Sequence, residues 1–183
     1  MIRKGDRLEN PVTGEILIFH RTSRETGGEA VLVETIVRPD GFVAAAHLHP
    51  NQAERFEVLE GRLGLRVGHQ ELLAEPGDVV TVEPGTPHRF WNAGETEARF
   101  LCEVSPALEF ESLIETMFRL AAEGKTNRKG MPNPLRLAVI ARSHFETVQL
   151  PFPPAWLQRL GLTLGAALGR LLGYRPTFVA PAV

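Results

Sequence analysis

A single cysteine, Cys102, stands among 183 residues, so the chain can form no internal disulfide, and a reducing compartment is the simpler setting. Charge of one sign is also missing. Lys and Arg number 20 against 22 Asp and Glu, a net charge of -2 with no sustained basic run. Nucleic acid is therefore a poor partner, and no helix-turn-helix pattern precedes the strand-rich region. Long hydrophobic runs are absent too. The stretch Leu160–Gly169 is the longest charge-free piece of its helix, whereas a membrane span needs about 20 apolar residues. The first residues, Met-Ile-Arg-Lys-Gly-Asp, lack the apolar core of a secretory signal, and a cytoplasmic protein is expected.

What is present is concentrated between Gly41 and Asn92. Gly41 to Gly61 reads G-FVAAA-H-L-H-PNQA-E-RFEVLE-G, and Gly77 to Asn92 reads G-DVVTVEP-G-TP-H-RFW-N. Histidines two apart on a strand project from one face, so His47 and His49 point the same way. Pro50 and Asn51 favour a turn, after which Glu54 returns on a neighbouring strand at similar depth. With His88 from the second stretch, three neutral imidazoles and a carboxylate make a site for a divalent transition metal.

Around these motifs the chain reads as short strands: Ile16–Phe19, Ala30–Arg38, Arg55–Leu59, Leu63–Val67, Val79–Val82, Arg89–Trp91 and Ala98–Val104. Turn pairs such as Asp40-Gly41, Glu60-Gly61 and Pro84-Gly85 separate them. Closely spaced turns without intervening helices predict an antiparallel sandwich or barrel. Alternation then puts Phe56 and Val58 on the inner face with Glu54, and Phe90 and Asn92 with His88; Phe100 shares a face with Cys102. These five, Phe56, Val58, Phe90, Asn92 and Phe100, are the expected lining of a substrate pocket. Cys102 reads as a small buried hydrophobe, not a nucleophile. His20, His69 and His144 have no spacing relation to the cluster and are expected at the surface.

From Ser105 the pattern becomes helical. Ser105-Pro106 reads as a helix start, followed by an apolar stripe from Leu108 to Ala121 and a stop at Gly124. Asn133-Pro134 opens a second helix to Phe145, and Ala155–Tyr174 forms a third after a proline-rich connector. Gly161, Gly165, Gly169 and Gly173 recur every four residues, a ridge suited to close packing on a helix of this chain or of a twin subunit; peripheral membrane contact is the less favoured use. No residue after Ser105 pairs with the motifs by spacing, so the helices are expected as a packing layer outside the reaction centre.

The two motif stretches resemble those of the cupin superfamily. The first matches throughout, and the second matches at Gly77, Gly85, His88 and Asn92, with Glu83 where the family usually has proline. The resemblance implies a mainly β fold, an antiparallel jelly-roll barrel over residues 1–105, with residues 106–183 as a C-terminal helical extension packed on the barrel or on a dimer partner. It implies a homodimer and a metal held by His47, His49, Glu54 and His88, most often iron(II) or manganese(II), with nickel, copper or zinc in some members. In octahedral geometry four ligands leave two positions for water, dioxygen or a bidentate substrate. The expected activity is metal-dependent, dioxygenase-like chemistry on a small, largely apolar or aromatic, oxygen-bearing molecule, with Glu54 doubling as a proton acceptor. Metal-dependent isomerisation and non-enzymatic binding of a small ligand are the alternatives.

Overall fold

The computed structural model describes residues 1–178. Its strands are β1 (Arg7–Asn10), β2 (Glu15–Arg21), β3 (Val31–Val37), β4 (Ala53–Glu60), β5 (Leu63–Val67), β6 (Gln70–Ala74), β7 (Val79–Val82), β8 (His88–Asn92) and β9 (Ala98–Ser105). Every pairing is antiparallel, in a six-stranded sheet ordered β1-β2-β3-β9-β4-β7 and a three-stranded sheet ordered β6-β5-β8. Three helices follow: α1 (Phe110–Ala122), α2 (Pro134–Ser143) and α3 (Ala155–Leu171). The fold is thus mainly β, an antiparallel cupin-type arrangement with a C-terminal helical part.

Alternation builds the core. On β4, Glu54, Phe56 and Val58 are buried while Arg55 is exposed, and Phe100, Cys102 and Val104 of β9 face the same interior. With Phe19, Val33, Leu63 and Leu65 from the other strands they form one cluster. The motif glycines are there for steric reasons. A Cβ on Gly41 would press on Val37 and on the carbonyl of Thr13, and one on Gly61, at φ +75°, would strike the Glu97 backbone. Strands β1 and β6 carry too little period-two signal to be read from sequence: β1 is Arg-Leu-Glu-Asn, and β6 is mostly exposed.

Two expectations are corrected in the helical part. Ser105-Pro106 does not start a helix; Ser105 ends β9, and α1 begins at Phe110. The intervening backbone is held elsewhere: Gln52 Nε2 donates to the carbonyls of Pro106 and Ala107, and the Ala107 amide donates to Gly28. Leu108 consequently stands outside the helix with φ +42°. His144 is not a surface residue. It is buried, with Nδ1 2.9 Å from the Ile140 carbonyl and Nε2 3.2 Å from Ser112 Oγ, joining α2 to α1.

The glycine ridge of α3 meets α2. A Cβ on Gly165 would lie 2.9 Å from Ala138 Cβ, and one on Gly169 would lie 2.6 Å from the Leu135 carbonyl oxygen, so only glycine permits this approach. Gly161 faces open space, and Gly173 lies past the helix end at φ +82°. The opposite face of α3 leaves Trp156, Leu160, Leu164 and Leu168 exposed. Among the described residues no helix is long and apolar enough to cross a membrane.

Candidate metal centre

His47, His49, Glu54 and His88 converge as the motif spacing implies. Their ligand atoms all lie within 4.8 Å of one another, a spread suited to ligands each about 2.1 Å from one shared ion. The local backbone differs from the expected strand. His47 and Leu48 make isolated bridges only, His47 to His88 and Leu48 to Gln149. The two histidines still share a side because the backbone between them is extended and tied on both edges.

Hydrogen bonds fix which imidazole nitrogen faces the centre. Nδ1 lies 2.8 Å from the Ala45 carbonyl in His47, 2.6 Å from the Thr147 carbonyl in His49, and 2.9 Å from the Thr86 carbonyl in His88. A carbonyl only accepts, so each Nδ1 must carry the proton, and each neutral ring turns its bare Nε2 inward. Among the described residues, His49 Nε2, His88 Nε2 and Glu54 Oε2 are buried without a hydrogen-bond partner. Buried polar atoms left in that state are costly, and lone pairs aimed at a carboxylate repel it. A divalent cation removes both penalties, and the donor set suits one.

Protonation separates the four residues. Burial, reinforced by the neighbouring His88 and His49, pushes His47 down to about 3, so it stays neutral. Burial alone would raise Glu54, but the surrounding histidines hold it down to about 2, an ionised carboxylate. His88 is raised: burial lowers it, and Glu54, with Oε2 2.7 Å from Nε2, outweighs that. A proton can therefore occupy the gap between His88 and Glu54, off the ideal hydrogen-bond direction. It leaves His49 Nε2, 3.4 Å from Glu54 Oε1, unsatisfied, which an ion would not. Cys102 Sγ approaches Glu54 Oε1 at 3.8 Å; burial, then the Glu54 charge, drives its thiol pKa well up, so it is a donor and not a thiolate.

The centre opens into a cavity of about 270 Å³ with an overwhelmingly apolar wall. Phe56, Phe90 and Phe100 line it, with ring centroids 5.3 to 6.2 Å apart. Val58 and Asn92 do not. Val58 is packed within the core beside Phe100, and Asn92 spends its amide on the carbonyls of Val37 and Thr96 and its Oδ1 on the Gly94 amide. Asn92 thus pins a turn.

The helices are not a layer remote from the centre. Phe110, Leu113 and Met117 of α1, Leu137 and Ile140 of α2, Phe145 and Val148 of the following turn, and Leu162 of α3 complete the cavity wall. Residues 146–149 pair directly with the His-x-His segment: the Leu48 and Gln149 backbones exchange two 2.9 Å hydrogen bonds, and Asn51 reaches the Glu146 carbonyl. Sequence spacing missed this because the contact is made by a backbone carbonyl 98 residues away, and carbonyls carry no residue signature.

Comparison with known proteins agrees with this geometry. The cupin domain family matches residues 33–104. A protein of Arthrobotrys oligospora named an oxidoreductase is 27% identical over 183 residues, covering 92% of this chain and 70% of its own length. An uncharacterised protein of Methanocaldococcus jannaschii is 31% identical over 85 residues, covering 46% of this chain and 67% of its own. The chain thus spans about two thirds of the length of these curated relatives. A crystal structure described as a predicted oxalate decarboxylase from Thermotoga maritima shares the fold, with a TM-score of 0.51 at 19% identity over 58% of this chain and 98% of that one. The first relative's match is long enough to include most of the helical part as well as the sheets, whereas the family match stops at Val104, on the last strand. Motif, sheet order and family match converge, and the chain belongs to the cupin superfamily.

Proposed function

We propose that this cupin is a metal-dependent enzyme, with oxidoreductive, dioxygenase-like chemistry on a small, largely apolar or aromatic substrate bearing an oxygen atom. The observation that carries the reading is the set of inward-facing, unpartnered Nε2 and carboxylate atoms at the head of an apolar cavity. His47, His49, Glu54 and His88 would hold the ion, and a divalent ion there supplies Lewis acidity toward a substrate oxygen and, if redox-active, access to dioxygen. The oxidoreductase name of the Arthrobotrys relative supports the redox choice over isomerisation.

The chain's own residues do the remaining work. Phe56, Phe90 and Phe100 offer ring faces and edges to a flat apolar body. The helical wall gives the centre an apolar side, and a less polar surrounding strengthens the electrostatic contacts made there. Glu54, ionised at neutral pH and touched at Oε1 by the Cys102 thiol, is placed to take a proton from a bound hydroxyl.

The test is anaerobic loading of metal-stripped protein with iron(II), manganese(II) or zinc, followed by oxygen uptake against a panel of phenols, catechols and hydroxyketones. Uptake with iron(II) or manganese(II), and none with zinc, is expected. Turnover without oxygen consumption would replace this reading with isomerisation. Ligand binding without turnover under any metal would make the protein a binder.

A further inference from the structure

Away from the ligand cluster, the cavity wall carries polar side chains that belong to neither motif. Asn10 of β1 and Glu15 of β2 stand directly opposite each other, and Thr35 of β3 pairs with Leu17 one inward position along. All three are buried, at 4%, 6% and 3% exposure, and all three line the cavity that His47, His49 and Glu54 also line.

Strand register puts them at the other end. Glu54 pairs with Val104 of β9; Ala98, at the start of β9, pairs with Val37, which pairs with Glu15. Six residues of strand separate the two levels, roughly 20 Å measured along β9.

The hydrogen bonding of this group is half used. Asn10 Oδ1 accepts from the amides of Val12 and Thr13, and Thr13 Oγ1 donates to Glu15 Oε2 at 2.6 Å. Among the described residues nothing bonds the Asn10 amide nitrogen, Glu15 Oε1 or the Thr35 hydroxyl. Nor does any cation face Glu15: burial pushes it up to about 7, opposed only by the Thr13 bond.

We propose that Asn10, Glu15 and Thr35 form a distal subsite that binds a hydroxyl group at the far end of an elongated, otherwise apolar substrate. This rests on the reading above, in which the near end presents its oxygen to the metal ligands. A hydroxyl both donates and accepts: it donates to Glu15 Oε1 when that carboxyl is ionised, accepts from it when it is protonated, and accepts from the Asn10 amide in either state. A hydrocarbon end leaves these buried groups unpaired, and a carboxylate end brings its charge to a buried place that no cation faces among the described residues.

The test uses zinc-loaded protein and two elongated probes that differ by one distal hydroxyl, trans-4-hydroxystilbene and the diol trans-4,4′-dihydroxystilbene, titrated calorimetrically, with zinc content measured on each sample. The diol should bind about tenfold more tightly, the value of one hydrogen bond to a site built for it. Glu15→Leu should bring the ratio to about one, and Thr35→Val, which keeps the shape and removes the hydroxyl, should lower it. Glu15→Gln should keep most of it. A wild-type ratio near one, no binding of either probe, or a ratio unchanged in both Glu15→Leu and Thr35→Val would overturn the subsite. Protein that takes up zinc but shows a ratio of one refutes the subsite alone; protein that takes up none yet separates the probes refutes the metal reading and keeps the subsite.

Discussion

His49 turns its Nδ1 to the carbonyl of Thr147, 2.6 Å away and 98 residues further along the chain. One bond thereby sets the tautomer of a candidate metal ligand in the sheet region from a turn in the helical region. The helical part is consequently coupled to the centre, and disturbing its attachment should be felt as metal affinity before it is felt as unfolding.

Gln149→Pro tests that coupling. It removes the amide that donates to Leu48 and so loosens the pairing that holds Thr147 against His49. Loss of such an outer partner typically costs ten- to a hundredfold in metal affinity. Competition with a chromogenic chelator should show that drop while the circular dichroism of the sheets is unchanged. Unchanged affinity would mean the Thr147 contact is incidental.

Glu15 should leave a mark on the pH dependence of stability. Its folded value of about 7 stands above the ordinary 4.5, so the folded chain keeps a proton that the unfolded chain releases. Stability is full below about pH 4.5 and is lost progressively as pH rises to about 7, by about 3 kcal/mol in all. Glu15→Gln has no such titration. Denaturant melts at pH 4.5 and pH 8 should show the variant gaining on the wild type at the higher pH by roughly that amount. A constant difference across the range would place Glu15 in a more solvated setting than the cavity wall.

The glycines of α3 should divide by what they face. Gly161→Ala adds a methyl group in open space and should stabilise the helix by up to about 1 kcal/mol. Gly169→Ala forces a methyl group onto the Leu135 carbonyl and should cost about 1–3 kcal/mol. Thermal melts showing the same sign for both would contradict the packing of α3 on α2.

Much of the site was legible because its residues are chemically distinctive. Histidine spacing, the returning glutamate and strand alternation predict the positions of His47, His49, Glu54 and His88 together with the inward faces of Phe56, Phe90 and Phe100. Periodicity predicts seven of the strands and all three helices. What escaped has no periodic or chemical signature. The Thr147 contact is pure backbone, and the helical wall of the cavity comes from side chains that read as ordinary core. Ser105-Pro106 carries a helix-start signature that the tether from Gln52 overrides. Asn92 shares an inner face with His88, yet its amide is consumed at a turn, a use that alternation cannot foresee.

The central claim is that the four inward ligands hold a metal, and elemental analysis after reconstitution and desalting tests it most directly. Wild-type protein should retain one divalent ion per chain at neutral pH, with retention falling as the pH drops further and His88, its pKa raised by Glu54, is taken by a proton. His49→Ala and His88→Ala should fold and retain well below one. Full metal content in both variants would contradict the account.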